Sequence, residues 1–166
     1  MRTIYSLAIA CLVLFVATII CTFPLTPSIP AIQLTFSESA FRAVLDAWQA
    51  PGVERFKLHL AIDFPFLLCY GMLGFLVARR TRLLRAFRRR ARTLLAFSLP
   101  LAVLADGAEN LFHLHFVFGS GPLGETQYVV AGLAAALKWA LIATFFCASA
   151  YSGFRITHSR YRRVNN

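Results

Sequence analysis

Four apolar stretches, each about as long as a bilayer is thick, constrain this chain more than any other feature of its sequence. They cover residues 4–22, 58–78, 94–118 and 127–150. Because a transmembrane helix needs about 20 consecutive apolar residues, each stretch is long enough to span a membrane. The pattern predicts an all-α membrane protein, an antiparallel four-transmembrane-helix bundle formed by a single domain over residues 1–166.

The composition excludes an ordinary soluble domain. Hydrophobic residues make up 58% of the chain and charged residues 14%. A soluble globular domain carries roughly a quarter charged residues, so this chain is depleted in charge. The low charge and the long apolar stretches together indicate a multi-pass protein of the cell membrane, either the inner or the plasma membrane.

Arginines are distributed unevenly between the two sides of the predicted membrane. The linker 79–93 holds eight arginines, at positions 79, 80, 82, 85, 88, 89, 90 and 92. The tail 151–166 holds four more, whereas the exterior segment 23–57 contains Arg42, Arg55 and Lys57 beside acidic residues. By the positive-inside rule, we expect the linker and both termini to be cytoplasmic.

The arginine-rich linker also suggests the partners of this chain. Arginines beside a membrane span attract anionic lipid, so we expect the bilayer itself, and anionic lipid at the linker, to be partners. A membrane-protein partner or a second copy of the chain is an open alternative. The same charge pattern occurs in nucleic-acid patches, but its position beside a span favours lipid, and we expect no nucleic acid.

The exterior segment 23–57 is predicted to contain a short amphipathic helix. Thr35 and Glu38 have the spacing of a capping box, and Pro51 with Gly52 predicts the end of the helix. Its apolar residues recur on one face: Ala40, Phe41, Val44, Leu45 and Trp48. We expect the helix to lie at the outer membrane surface, where it caps the bundle. A lid over an outward-facing pocket is the alternative.

Polar side chains interrupt the third apolar stretch in the segment ADGAENLFHLHF, residues 105–116. Four of them stand at helical positions i, i+3, i+4 and i+7 and share one face: Asp106, Glu109, Asn110 and His113. His115 points away from this face. The second stretch adds Asp63 and Tyr70, and the fourth adds Lys138.

Counting residues from the exterior ends of the stretches gives the depth of each polar group. With a rise of about 1.5 Å per residue, Asp106, Tyr70 and Lys138 all lie roughly 17 to 18 Å deep. Asp63 and His113 lie at about 7 to 8 Å. Because an unpaired charge in a bilayer costs several kcal/mol, we expect Lys138 to pair with Asp106 or Glu109.

The predicted cluster contains more acidic than basic groups. Asp63, Asp106 and Glu109 stand against Lys138 alone, so the surplus must be protonated, matched by imidazolium or neutralised by a bound cation. This imbalance predicts a site that binds or translocates a proton, a cation or a small amphiphile. The alternatives are a membrane-embedded enzyme that acts on a lipid-borne substrate, and a non-catalytic scaffold or partner subunit whose polar network is structural.

A metal site is a weaker prediction. The candidate ligands are Asp106, Glu109, His113 and His59, since carboxylates and imidazoles on facing helices hold metals in four-helix bundles. However, the segment lacks the Glu-x-x-His pair of di-iron proteins, and the chain has no HExxH motif. The sequence identifies neither a cofactor nor a catalytic residue.

Overall fold

The structure is a computed structural model that describes residues 1–119 and 124–164, with the backbone alone from residue 158 onward. These residues form helices and no strands. In chain order, the helices are α1 (Arg2–Thr22), α2 (Ile29–Gln33), α3 (Glu38–Arg80), α4 (Arg89–Ala96), α5 (Ser98–Phe118) and α6 (Glu125–Val164). The predicted all-α class is confirmed for this part of the chain.

Four helical segments of the described chain are long and apolar enough to cross a membrane. They are Arg2–Thr22, Glu38–Arg80, Arg89–Phe118 and Glu125–Thr157. Each contains one of the four stretches predicted from the sequence. Large apolar side chains on these segments are exposed, among them Ile20, Leu104 and Phe146. An apolar surface of this kind is compatible with a multi-pass membrane protein.

The predicted exterior helix and the second apolar stretch belong to one helical element. The backbone of Gln49 leaves the helical region, with φ of 55° and ψ of −178°, and α3 is kinked there. Pro51 then stands in the first turn of the following helix, where its fixed φ is favourable and its missing N–H costs nothing. The predicted exterior helix therefore ends at Gln49, two residues before Pro51, which starts the following helix instead of ending the first one.

The start of α3 also differs from the predicted capping box. Ser37 is the N-cap, and its hydroxyl accepts a hydrogen bond from the N–H of Ala40 at 3.2 Å. The hydroxyl of Thr35 instead donates to the carbonyl of Ile32 at 2.7 Å. This local bond at the end of α2 removes Thr35 from the cap position. Residues 29–33 form α2, with Pro30 in its first turn.

Two segments expected outside the spans are helical. The predicted linker 79–93 contains the end of α3 and the start of α4, so its non-helical part is confined to residues 81–88. The tail 151–166 is helical as far as Val164, because α6 continues into it. No proline interrupts this sequence, and no glycine follows Gly153, so nothing local ends the helix earlier.

The long helices pack in the order α1, α3, α5, α6, each against the next. Gly71 and Gly74 of α3 face Val103 and Leu99 of α5 so closely that a Cβ on either glycine would collide with them. Small residues thus bring α3 and α5 together. α1 is peripheral, since Ile4 and Cys21 are its buried residues.

Two apolar clusters occupy opposite ends of the α3–α5–α6 core. The first, here called the aromatic end, includes Phe41, Trp48, Phe56, Phe116 and Tyr128. The second lies beside the arginine-rich linker and contains Ala78, Leu84, Ala96, Leu99 and Phe145. We call this the arginine end. The polar side chains predicted to form a site lie between the two clusters.

Candidate functional site

One face of α5 supplies most of the candidate site. Asp106, Glu109, Asn110 and His113 are all buried, as their i, i+3, i+4 and i+7 spacing predicted. Their neighbour His115 is exposed. The polar face of α5 therefore points into the protein, towards α3 and α6, and its apolar residues cover the outside.

Lys138 of α6 joins the two acidic residues of this face. Its ammonium group donates a hydrogen bond to Oδ1 of Asp106 at 2.7 Å. The same nitrogen lies 2.7 Å from Oε2 of Glu109. Lys138 is 3% exposed and Glu109 is 0% exposed, so water does not screen these pairs. The pairing of Lys138 with the α5 carboxylates, expected from their depth, is present with both partners.

The second oxygen of Asp106 has a partner on α3. The hydroxyl of Tyr70 donates to Oδ2 of Asp106 at 3.1 Å. Asp106 thus accepts one hydrogen bond from each neighbouring helix, one on each oxygen. This arrangement makes Asp106 the residue through which α3, α5 and α6 are connected.

A separate hydrogen bond ties the third carboxylate to α5. The side-chain amide of Asn110 donates to Oδ2 of Asp63 at 2.7 Å. Asn110 is fully buried, and Asp63 is 6% exposed. Asn110 shares the buried face of α5 with Asp106 and Glu109, so the Asp63–Asn110 pair neighbours the group around Lys138. We call these residues the polar cluster: Asp63, Tyr70, Asp106, Glu109, Asn110 and Lys138.

Two histidines border the polar cluster on its aromatic side. Nδ1 of His113 lies 3.7 Å from Oε1 of Glu109, which is longer than a hydrogen bond. Among the residues that the structure describes, Nδ1 of His113 and both ring nitrogens of His59 have no hydrogen-bond partner. His59 is nevertheless buried, at 4% exposure. A buried imidazole nitrogen without a hydrogen-bond partner costs free energy, so packing alone does not explain why these two histidines are buried.

Aromatic rings cover the histidines. The ring of Phe41 lies 5.4 Å from that of His113, and the ring of Phe56 lies 5.7 Å from it. Phe56 also stacks on His59 at 6.2 Å. The stripe on the predicted exterior helix indicated Phe41 as a packing residue. Phe56 carried no comparable signal in the sequence, because the break at Gln49, which sets its position, was not foreseen.

A further polar contact was missed by sequence reasoning. The indole N–H of Trp139 donates to Oε1 of Gln33 at 3.3 Å, joining α6 to the short helix α2. Gln33 is buried, at 5% exposure. Nothing in the local sequence distinguishes Gln33 from the other polar residues of the segment 23–57.

The candidate metal ligands do not assemble into a metal centre. Within residues 1–119 and 124–157, whose side chains the structure describes, no three His, Cys, Asp or Glu side chains converge closely enough to hold a metal ion. Asp106 and Glu109 are directed at Lys138, and His59 and His113 contact aromatic rings. Of the candidate set, His113 approaches Glu109 at 3.7 Å, but Asp106 and Glu109 are paired with Lys138 and His59 stacks on Phe56.

The charges of the polar cluster do not balance if all its groups are ionised. Asp63, Asp106 and Glu109 contribute three carboxylates, and Lys138 contributes one ammonium group. An uncompensated charge in a buried site costs several kcal/mol, so the surplus favours uptake of positive charge. A proton is the smallest such charge and needs no additional space.

Comparisons with protein-family models, with curated proteins and with solved structures find no match to this chain.

Proposed function

We propose that this chain is a multi-pass protein of the cell membrane that binds a proton, or another small cation, in its polar cluster and moves it across part of the bilayer. In this proposal the spans form an antiparallel four-helix bundle, and both termini and the arginine end are cytoplasmic. The asymmetry of arginine content supports that orientation. The four apolar helical segments support the membrane location.

The observation that carries the proposal is the shared lysine. Lys138 lies 2.7 Å from both Asp106 and Glu109, while Asp63 has an amide as its partner. One ammonium group balances one carboxylate, so two further positive charges, as protons or cations, are needed for neutrality. Buried acidic groups that gain and lose such charge form the relays of membrane transporters.

Packing favours a small cargo over an amphiphile. The cluster residues Asp63, Asp106, Glu109, Asn110 and Lys138 are all at most 6% exposed. Phe41 and Phe56 cover the histidines at the aromatic end. A proton can pass between neighbouring oxygens and nitrogens without displacing these rings, whereas an amphiphile would require them to separate.

The proposal is tested by proton flux in vesicles. Purified protein is reconstituted into liposomes that contain a pH-sensitive dye, and a pH gradient is applied with valinomycin and potassium present to clamp the potential. We expect the wild type to dissipate the gradient faster than empty liposomes, and Glu109→Gln to abolish that difference. Glu54→Gln is the control, because Glu54 is an exposed acidic residue outside the cluster.

A second readout detects proton binding without transport. Infrared difference spectra recorded across a pH titration should show a carboxyl band that disappears in Glu109→Gln, Asp106→Asn or Asp63→Asn. Proton handling is refuted if all three variants fold and retain both the wild-type flux and the wild-type spectra. The network would then serve to hold the helices in register.

The histidines favour acid–base catalysis on a lipid-borne substrate as a second candidate. A buried imidazole with a free Nδ1 beside the carboxyl group of Glu109 has the components of a general acid–base pair. Incubation of reconstituted protein with a membrane lipid extract, followed by lipid mass spectrometry, tests this function. A product formed by the wild type and lost in His113→Gln would favour catalysis over proton translocation.

A further inference from the structure

A cavity at the arginine end lies outside the polar cluster. It has a volume of about 250 Å³ and lies between the end of α3 and the helix α4. Its lining residues are Ala78, Arg79, Arg89, Arg92 and Thr93. Three of these five residues are arginines, which is unusual for side chains that share one cavity and bear the same charge.

The guanidinium groups that line the cavity have no acidic counterpart in the described chain. Neither Arg79 nor Arg89 nor Arg92 forms an ion pair with a carboxylate among these residues. The sequence contains no Asp or Glu between Asp63 and Asp106. Like charges brought together without a counter-ion repel each other, and an anion placed between them removes this repulsion.

The local structure holds the arginines in place. Arg89, Arg92 and Thr93 share one face of α4, at positions i, i+3 and i+4. The guanidinium group of Arg79 lies 5.9 Å from the ring of Phe75, which restrains the end of α3.

The connection between α3 and α4 is also anchored. Leu84 is fully buried, and the N–H of Ala86 donates to the hydroxyl of Ser152 in α6 at 3.2 Å. The non-helical residues 81–88 are thus packed against the rest of the protein, and the two walls of the cavity keep their relative position.

The start of α4 adds to the preference for an anion. Arg88 is the N-cap and makes no side-chain hydrogen bond, and the first turn contains no acidic residue. The N–H groups of a first helical turn carry partial positive charge, which here lies next to Arg89. The arginine cavity and the uncapped turn therefore attract the same kind of ligand.

We propose that this cavity binds a single phosphate group. A guanidinium group donates two parallel hydrogen bonds to phosphate oxygens, so three arginines can contact one phosphate from two helices. The phosphate belongs either to an anionic phospholipid headgroup or to free inorganic phosphate. Leu94, which is 74% exposed, and Phe97 follow Thr93 along the chain and provide an apolar surface on which acyl chains could lie.

The site is separate from the polar cluster, so its failure would leave the proposed proton function untouched. The arginine linker as a whole predicts general attraction to anionic lipid. The inference here is narrower, because it assigns binding to three of the eight linker arginines and leaves the others as solvated charges.

The test compares two triple variants that remove the same charge. Arg79→Gln, Arg89→Gln and Arg92→Gln together remove the cavity arginines. Arg80→Gln, Arg85→Gln and Arg90→Gln together remove three linker arginines that do not line the cavity. All six side chains are exposed, so neither variant disturbs the core, and circular dichroism checks the helical content of both.

Delipidated protein in detergent is titrated with inorganic phosphate in one arm and with short-chain phosphatidylglycerol in the other, with phosphatidylcholine as the neutral lipid. Native mass spectrometry counts bound molecules. We expect the cavity variant to bind the preferred probe at least about tenfold more weakly than the wild type, because it loses charge-assisted hydrogen bonds. We expect the control variant to lose less than about threefold, because its three arginines do not line the cavity and attract the anion only at longer range, where salt screens them.

The arms separate the two sources of phosphate. A lipid headgroup is supported if phosphatidylglycerol binds more tightly than both phosphatidylcholine and inorganic phosphate. Free phosphate is supported if inorganic phosphate binds more tightly than phosphatidylglycerol. Arg92→Lys, which keeps the charge but not the planar fork, should bind with intermediate strength. Equal losses in the two triple variants would overturn the proposal, as would a wild type that binds neither probe.

Discussion

The ammonium group of Lys138 in α6 lies 2.7 Å from Oδ1 of Asp106 in α5, and both side chains are buried. The same ammonium group contacts Glu109, so one cation holds two carboxylates of a single helix. Removal of the cation takes the ion-pair partner from both carboxylates, although Asp106 keeps its hydrogen bond from Tyr70. We therefore expect Lys138 to be the most sensitive position of the polar cluster.

Lys138→Met should lower the free energy of unfolding by about 3–5 kcal/mol, because breaking a buried pair leaves an uncompensated charge. Lys57→Met is the control, since Lys57 pairs with Glu54 at the surface and should cost about 1 kcal/mol or less. Chemical denaturation in mixed micelles measures both. The combination of Lys138→Met with Asp106→Asn and Glu109→Gln should recover part of the loss. A Lys138→Met protein as stable as the control would contradict the paired arrangement.

Asn110→Leu should destabilise the protein by about 1.5–3 kcal/mol, because the carboxyl group of Asp63 loses a hydrogen bond in a buried site. The loss should be smaller when Asp63 is already replaced by Leu, since the amide of Asn110 then has no carboxylate to which it can donate a hydrogen bond. A double-mutant cycle measured by denaturation gives the coupling, which we expect at about 0.5–3 kcal/mol. Strict additivity would show that the two side chains do not interact.

Gly74→Ala should destabilise the α3–α5 contact by about 1–3 kcal/mol, because the added Cβ would collide with the side chain of Leu99. Gly107→Ala is the matched variant on α5, where a Cβ meets no atom within 4 Å. It should stabilise the protein by about 0.5–1 kcal/mol, since alanine favours the helix. Thermal unfolding of both variants shows whether each substitution lowers or raises the stability of the protein. The packing described here would be wrong if Gly74→Ala were neutral.

Ser37→Ala should cost about 1 kcal/mol, because the N–H of Ala40 loses its cap. Thr35→Val should lower the stability by less, since the hydroxyl of Thr35 donates to the carbonyl of Ile32 and does not cap α3. Amide hydrogen exchange at the start of α3 provides a local measurement. Faster exchange in Thr35→Val than in Ser37→Ala would show that Thr35, and not Ser37, caps α3, as the capping box in the sequence predicted.

The candidate site was largely predictable because it lies on regular helices. The helical period places Asp106, Glu109, Asn110 and His113 on one face whatever surrounds them, and that face is buried in the structure. The rise per residue relates depth to residue number, so Tyr70 and Lys138 could be identified as partners of Asp106.

Predictions failed where competing local interactions decided the backbone. The break in α3 lies at Gln49 and not at Pro51, because proline favours the first turn of a helix as well as positions beyond a helix end, and the local sequence does not distinguish the two. Thr35 has the spacing of a cap but bonds back to Ile32, an alternative that the residue spacing does not distinguish. The position of Phe56 over His113 depends on that break, so it could not be anticipated.

The sequence by itself determined the four apolar stretches, the polar face of α5 and the surplus of carboxylates, because hydropathy, helical period and charge are properties of the chain alone. Only the tertiary structure decided that Lys138 contacts both Asp106 and Glu109, that Asn110 bonds to Asp63, and that Arg79 lies beside Arg89 and Arg92. These contacts join side chains of different helices. Their geometry depends on how the helices rotate and approach, and between α3 and α5 the close packing at Gly71 and Gly74 sets that approach.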